Sequence, residues 1–278
     1  SLQIYFWRKI MNNSDLKELC RQIRCDIINM VTDASSGHPG GSLSCVELIE
    51  GAFSQMRVDP KNPVWPERDR FVLSKGHCAP ALYSVLAHRG FFPVEELSTL
   101  RKLHSRLQGH PDSKKCPGVD VATGSLGQGV SLAVGIALGA KHQNKNFKVF
   151  TLTGDGELQE GQVWEAFMAA SHYKLDNLTV MIDWNGLQID GTNDQVMSLG
   201  MLPEKLRAFG LEVIELVDGN DIDQVIAAID APFNGKPKCI LAHTVKGKGV
   251  PFMENQVGWH GKAPSNEQRL QALKELEA

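Results

Sequence analysis

Two short apolar runs, residues 148–153 and 178–183, constrain this chain more than any other feature, because a stretch with helical character separates them. The first, Lys148-Val149-Phe150-Thr151-Leu152-Thr153, stops at Gly154-Asp155-Gly156. The second ends at Asp183, and the intervening 162–173 is rich in helix formers around Trp164, Ala166 and Phe167. Two buried strands joined by a helix make a βαβ unit, so they must pair in parallel through a crossover. Runs at 212–217 and 238–243 repeat the pattern around a helix near 221–229, and 70–74 adds a strand that delivers Lys75-Gly76-His77 at its carboxyl end. This alternation predicts an α/β fold, a doubly wound, mostly parallel sheet flanked by helices. Apolar spacing at Leu16, Leu19, Ile23, Ile27 and Met30 predicts a helix over 15–33. Further helices are expected at 44–55, at 80–89 and from Pro93, while Pro39 and three glycines predict a loop over 35–41.

The chain's bulk properties exclude several classes. Its 278 residues carry 29 basic and 32 acidic side chains, which argues against the basic footprint of a nucleic-acid binder. No run approaches the roughly 20 apolar residues of a membrane span. A hydrophobic content of 42% excludes a disordered chain. Six scattered cysteines without CxxC or zinc-finger spacing predict free thiols in a reducing compartment, so a cytoplasmic address is expected. Residues 1–10 lack a signal cleavage site and read as an upstream remnant, which leaves 11–278 as one domain.

Ligands of such sheets sit beyond the carboxyl ends of the strands, and His77, Asp155, Asn185 and His243 all fall at or just after strand ends. Asp-Gly is a common hairpin signal, but the segment after Gly154-Asp155-Gly156 is helical, which removes the hairpin reading. An Asp between two glycines at that place suits a different role, in which the glycines admit a diphosphate to the backbone while the carboxylate holds a hard cation. A second oxygen ligand then comes from Asn185, one crossover further along.

This Gly-Asp-Gly and Asn pairing resembles the thiamine diphosphate signature, and the blocks around it sharpen the likeness. Ser36-Gly37-His38-Pro39-Gly40, Lys75-Gly76-His77, Gly109-His110-Pro111-Asp112, Gly124-Ser125-Leu126-Gly127-Gln128-Gly129 and Trp259-His260-Gly261 are similar to the ordered active-site blocks of transketolases. The resemblance spans Asp15 to Gln271 but only the family's amino-terminal, diphosphate-binding part, and so implies the N-terminal subunit of a split enzyme. It implies that Asp155, Asn185 and the Leu187 carbonyl bind Mg²⁺, with Ca²⁺ or Mn²⁺ as alternatives. It places the Gly156 and Glu157 amides, His77, His260 and Lys246 near the diphosphate, and Gly124, Leu126 and Ile189 around the cofactor rings. For Lys246 an ordinary solvated turn is the alternative. Ser125 departs from the proline common at its position in the family.

The same resemblance makes His38, His77, His110 and His260 the candidate catalytic residues, since a neutral imidazole both accepts and donates protons near pH 7. The implied activity is transfer of a two-carbon ketol unit between sugar phosphates, as in the pentose phosphate pathway. The rival readings are a dihydroxyacetone synthase-like transferase and a non-catalytic cofactor-binding subunit. The implied partner is a C-terminal subunit carrying the pyrimidine-binding domain, whose glutamate meets the cofactor's aminopyrimidine. Homodimer contacts along the glycine-rich 127–140 stretch and an A2B2 heterotetramer are expected, with no nucleic-acid or membrane partner.

Overall fold

In the computed structural model, which describes residues 11–277, the chain runs through α1 Asn13–Asp33, α2 Pro39–Ser44, α3 Val46–Gln55, β1 Arg70–Leu73, α4 Ala79–His88, α5 Gln128–His142 and β2 Val149–Gly154. It continues through α6 Gly161–His172, β3 Leu178–Trp184, β4 Leu187–Gln188, β5 Gly191–Thr192, α7 Asn193–Met197 and α8 Leu202–Ala208, then β6 Glu212–Leu216, α9 Ile222–Asp230, β7 Lys238–His243 and α10 Asn266–Glu277. Five strands form a sheet in the order β1-β2-β3-β7-β6, and every neighbouring pair is parallel. The expected parallel α/β architecture is therefore present. The segment 1–10, expected to be an upstream remnant, lies outside the described residues.

Strand residues alternate between two cores, as a period of two requires. Phe71, Leu73, Phe150, Leu152, Met181 and Ile240 face one cluster, shared with α1, α3, α4 and α9. Val72, Val149, Val180, Ile182, Cys239 and Leu241 face the other, against α5, α6 and α8. Helices thus cover both faces, and the loops at the strands' carboxyl ends are left to form a shared edge. Helix α1 begins where its sequence directs: the Asp15 amide donates to Asn12 Oδ1 at 3.0 Å and the Asn12 amide to the Asp15 carboxylate at 3.4 Å, a reciprocal cap.

Two local expectations are corrected. The predicted loop 35–41 is partly helical, because Pro39 sits at the first helical position, where no amide hydrogen is needed. The helix expected over 44–55 is present as α3, two residues shorter at its start, with Cys45 separating it from α2. The helix expected from Pro93 is a short 3₁₀ segment, Val94–Thr99. The small β4–β5 hairpin after β3 had no signal in the strand pattern. Close packing of the glycine-rich α5 holds only at its start, where a Cβ on Gly129 would lie 2.6 Å from Ser74 Cα. A Cβ on Gly135 or Gly139 would meet nothing within 4 Å.

Candidate active site

The loops after β1, β2, β3 and β7 converge with α2 and the 257–261 turn around a cavity of about 290 Å³. Every residue given a role by the family resemblance lines it except His110. His110 is exposed and stands at the rim, its ring 3.1 Å from where a Cβ on Gly124 would be. Gly76 is obligatory here, since a Cβ would come within 2.8 Å of the Gly124 amide nitrogen and press apart two of the lining segments. A larger hollow of about 1210 Å³ near residues 96–115 contains none of the candidates.

At the cavity floor, Asp155 is 2% exposed. Its carboxylate accepts from the Gly156 amide at 2.8 Å and the Gly186 amide at 2.5 Å. Burial, and then the charge of Asp183, push its pKa up to about 6 against the pull of those two amides. A bound cation would favour the charged form of such a buried carboxylate. Asn185 Oδ1 accepts from the Leu187 amide at 3.2 Å and faces the same space. The Leu187 carbonyl accepts from Lys246 Nζ at 2.9 Å, so an ammonium touches the oxygen that the family resemblance assigns to a metal. One carboxylate, one amide oxygen and one carbonyl form an all-oxygen set suited to a hard divalent cation that shares phosphate and water ligands. Among the described residues no group of three His, Cys, Asp or Glu is placed to hold a metal, in keeping with a set that has a single acidic member.

Three imidazoles lining the same cavity form a triangle. Ring centroids lie 5.2 Å apart for His38 and His77, 5.3 Å for His77 and His260, and 5.6 Å for His38 and His260. Burial, with His77 next, pushes His38 down to about 4. Burial, with the adjacent Lys246, pushes His260 down to about 3. His110 is also lowered, by burial and then Arg101. His38 and His260 are therefore neutral near pH 7. Lys246 Nζ donates to His260 Nδ1 at 2.9 Å, which assigns the ring proton of His260 to Nε2. His38 Nδ1 is buried without a partner, a polar atom that a ligand would satisfy.

Some candidates behave otherwise than expected. The Glu157 carboxylate accepts from Ser74 Oγ and from the Gly127 and Gly154 amides, the latter two at 2.8 and 3.2 Å, so its side chain ties its own turn to the loops after β1 and before α5. His243, a strand-end residue, turns away: it pairs with Glu215 at 3.0 Å and lies against Trp184. Lys246 is 1% exposed, which excludes a solvated turn. Leu126 and Ile189 are 37% and 66% exposed, apolar groups at the mouth. Nothing in the sequence pattern marks Gln188, whose Cβ lies 3.4 Å from where a Cβ on Gly156 would be, or the buried pair of Lys75 and Asp183. A lysine directly after an apolar strand was the only hint of that pair.

The family model described as transketolase, thiamine diphosphate binding domain, matches residues 16–276. The 6-deoxy-6-sulfo-D-fructose transketolase subunit SqwG of Clostridium sp. (strain MSTE9) is 42% identical over 95% of this chain and 96% of its own length. An apulose-4-phosphate transketolase subunit of Phocaeicola vulgatus is 44% identical over 90% of this chain and 89% of its own. Human transketolase is 40% identical, but the match spans only 42% of that protein. The crystal structure of transketolase from Campylobacter jejuni superposes with a TM-score of 0.90 at 35% identity, over 96% of this chain and 43% of that one. Against single-chain transketolases the chain thus spans about two fifths of their length. The chain belongs to the transketolase family and forms its thiamine diphosphate binding domain.

Proposed function

We propose that this chain is the cofactor-binding, N-terminal subunit of a transketolase that moves a two-carbon ketol unit between sugar phosphates. The observation that carries the reading is the triangle of His38, His77 and His260 lining one cavity with the oxygen set of Asp155, Asn185 and Leu187. Relatives named as transketolase subunits, matched over nearly their whole length, support a second polypeptide. Thiamine diphosphate, when bound, supplies the carbon nucleophile and the electron sink for breaking a carbon–carbon bond beside a carbonyl.

The chain's residues do the rest. Asp155, Asn185 and the Leu187 carbonyl would hold Mg²⁺, with Ca²⁺ or Mn²⁺ as substitutes, against the diphosphate. The Gly156 and Glu157 amides, His77 and Lys246 would meet its oxygens, and Gly124, Leu126 and Ile189 would flank the rings. His260 offers a proton at Nε2, and neutral His38 both donates and accepts, so together they can orient a substrate carbonyl and pass protons at its hydroxyls. His110 at the rim would reach hydroxyls further along the sugar.

The partner would carry the pyrimidine-binding domain. The exposed Leu132 and Met168 and the uncovered Gly135 and Gly139 on α5 and α6 support contact between copies, as in an A2B2 assembly. Six buried free thiols support a reducing, cytoplasmic setting and a place in carbohydrate metabolism of the pentose phosphate type. The test is ketol transfer from a ketose phosphate by the purified chain, with and without a C-terminal transketolase subunit carrying the pyrimidine-binding domain. Transfer only with the partner is expected, and full activity from this chain alone would overturn the two-polypeptide reading. Asp155→Ala should abolish magnesium-dependent cofactor binding in calorimetry while the far-UV spectrum is retained.

A further inference from the structure

Behind the cavity-lining Asp155 lies a second carboxylate, Asp183, that the metal reading does not use. Asp183, in β3, is fully buried and lies beside Asp155: its strand registers Asp183 opposite Gly154, and the Asp155 amide donates to the Asp183 carbonyl at 3.3 Å. Asp183 Oδ2 accepts from Lys75 Nζ, from Ser44 Oγ at 2.5 Å and from Asn185 Nδ2 at 3.1 Å. Its Oδ1 accepts from Thr244 Oγ1. A carboxylate offers about two lone-pair sites on each oxygen, so Lys75, Ser44 and Asn185 saturate Oδ2 while Thr244 takes one site of Oδ1. Lys75 is 2% exposed, and its ammonium also donates to the Gly41 carbonyl at 3.1 Å.

A divalent cation gains affinity with each carboxylate it meets, so a site with Asp155 and Asp183 both available would load metal without a phosphate ligand. We propose that Lys75 is a positioning residue that withholds the charge of Asp183 from the cation, so that metal binds appreciably only together with a diphosphate. In this arrangement Asp183 orients rather than ligates. By accepting from Asn185 Nδ2 it fixes that amide with Oδ1 toward the metal position. The inference rests on the metal reading proposed above. A merely structural ion pair would support the fold and leave metal affinity alone, and a buried pair is by itself weak evidence for stability.

The experiment titrates the purified chain with Mn²⁺ alone, with no cofactor, following the free ion by electron paramagnetic resonance, with a thermal melt of each variant. Lys75→Met should bind Mn²⁺ about tenfold tighter or more than the unaltered chain, a difference of about 1.4 kcal/mol. Lys75→Arg, which keeps the charge, should behave as the unaltered chain. The Lys75→Met/Asp183→Asn double variant should lose the gain. Unchanged Mn²⁺ affinity in Lys75→Met, or a gain that persists in the double variant, overturns the proposal. If Lys75→Met does not fold, Lys75→Gln decides on the same criterion, since it retains a donor to Asp183 but removes the charge. Asp155→Asn in the Lys75→Met background should abolish the tight binding. If Asp155→Asn leaves Mn²⁺ binding untouched in every background, the metal reading fails instead, and the two failures are distinguishable.

Discussion

Gly156→Ala separates the cofactor cradle from the fold that carries it. Gly156 opens the 3₁₀ turn after β2, and its φ is not in the left-handed region, so alanine fits its backbone. The added Cβ would lie 3.4 Å from Gln188 Cβ and 3.6 Å from Gln188 Nε2, ordinary contacts that strain nothing. Without strain, glycine to alanine stabilises by about 0.4–1 kcal/mol through the unfolded chain. For a chain of this size that is a rise of roughly 1–4 °C in melting temperature. The same methyl stands on the cavity wall beside the amide proposed to meet the diphosphate, an amide that donates to the Asp155 carboxylate at 2.8 Å and would turn from it to the cofactor. A hydrogen bond to a charged group contributes about 1.5–3 kcal/mol, so losing one should weaken cofactor about tenfold to a hundredfold. Calorimetry with thiamine diphosphate at saturating magnesium reads the affinity, and scanning fluorimetry without ligand reads the stability. Unchanged affinity with a raised melting temperature would refute the cradle. Lost affinity with a lowered melting temperature would show that the effect came through the fold.

Two further outcomes are expected. His38 and His260 have folded pKa values lowered to about 4 and about 3 from an ordinary 6.5, so the unfolded chain binds more protons below pH 6.5. Stability contributed by these neutral rings is full above pH 6.5 and is lost as pH falls through 4; urea midpoints measured from pH 7 to pH 4 should fall less steeply in His38→Gln/His260→Gln, and an unaltered slope would contradict the assignment. Gly129→Ala would drive a methyl to 2.6 Å from both Cα and Oγ of Ser74, and overpacking of this kind costs about 1–3 kcal/mol, so its urea midpoint should drop, and an unchanged midpoint would contradict the close approach.

The sheet was legible because its central strands are buried on both sides and read as continuous apolar runs; 148–153 and 178–183 shift by only a residue in the structure. The site was legible because Gly, His and Asp residues punctuate those strand ends, and the fold brings such ends together. Helix α2 was not legible: Pro39, Gly40 and Gly41 carry the signals of a loop, and only tertiary packing makes them helical. A Cβ on Gly40 would meet the Trp259 carbonyl at 2.9 Å. The role of Lys75 was hidden for a different reason. Its partner Asp183 ends an apolar run 108 positions away, and no local pattern reports which charge a buried lysine meets. For Glu157 only the amide was readable, because two of the three donors that engage its carboxylate, Ser74 and the Gly127 amide, come from loops 83 and 30 positions away.

The bonds that gather on Asp183 span 139, 108 and 61 positions of sequence. Contacts of such separation form late, since the chain must close long loops before they reward it. The helices and the individual βαβ units can form early, but the cavity floor comes into being only when β1, β3, β7 and α2 are docked together. During refolding from urea, capacity to bind a divalent cation with diphosphate should therefore lag behind the recovery of helical signal. The ligands then recognise only the finished chain and pull the folding equilibrium toward it by mass action. A destabilised variant with an intact floor would be rescued in proportion to the logarithm of cofactor concentration, whereas one with a damaged floor would not, however mild its folding defect.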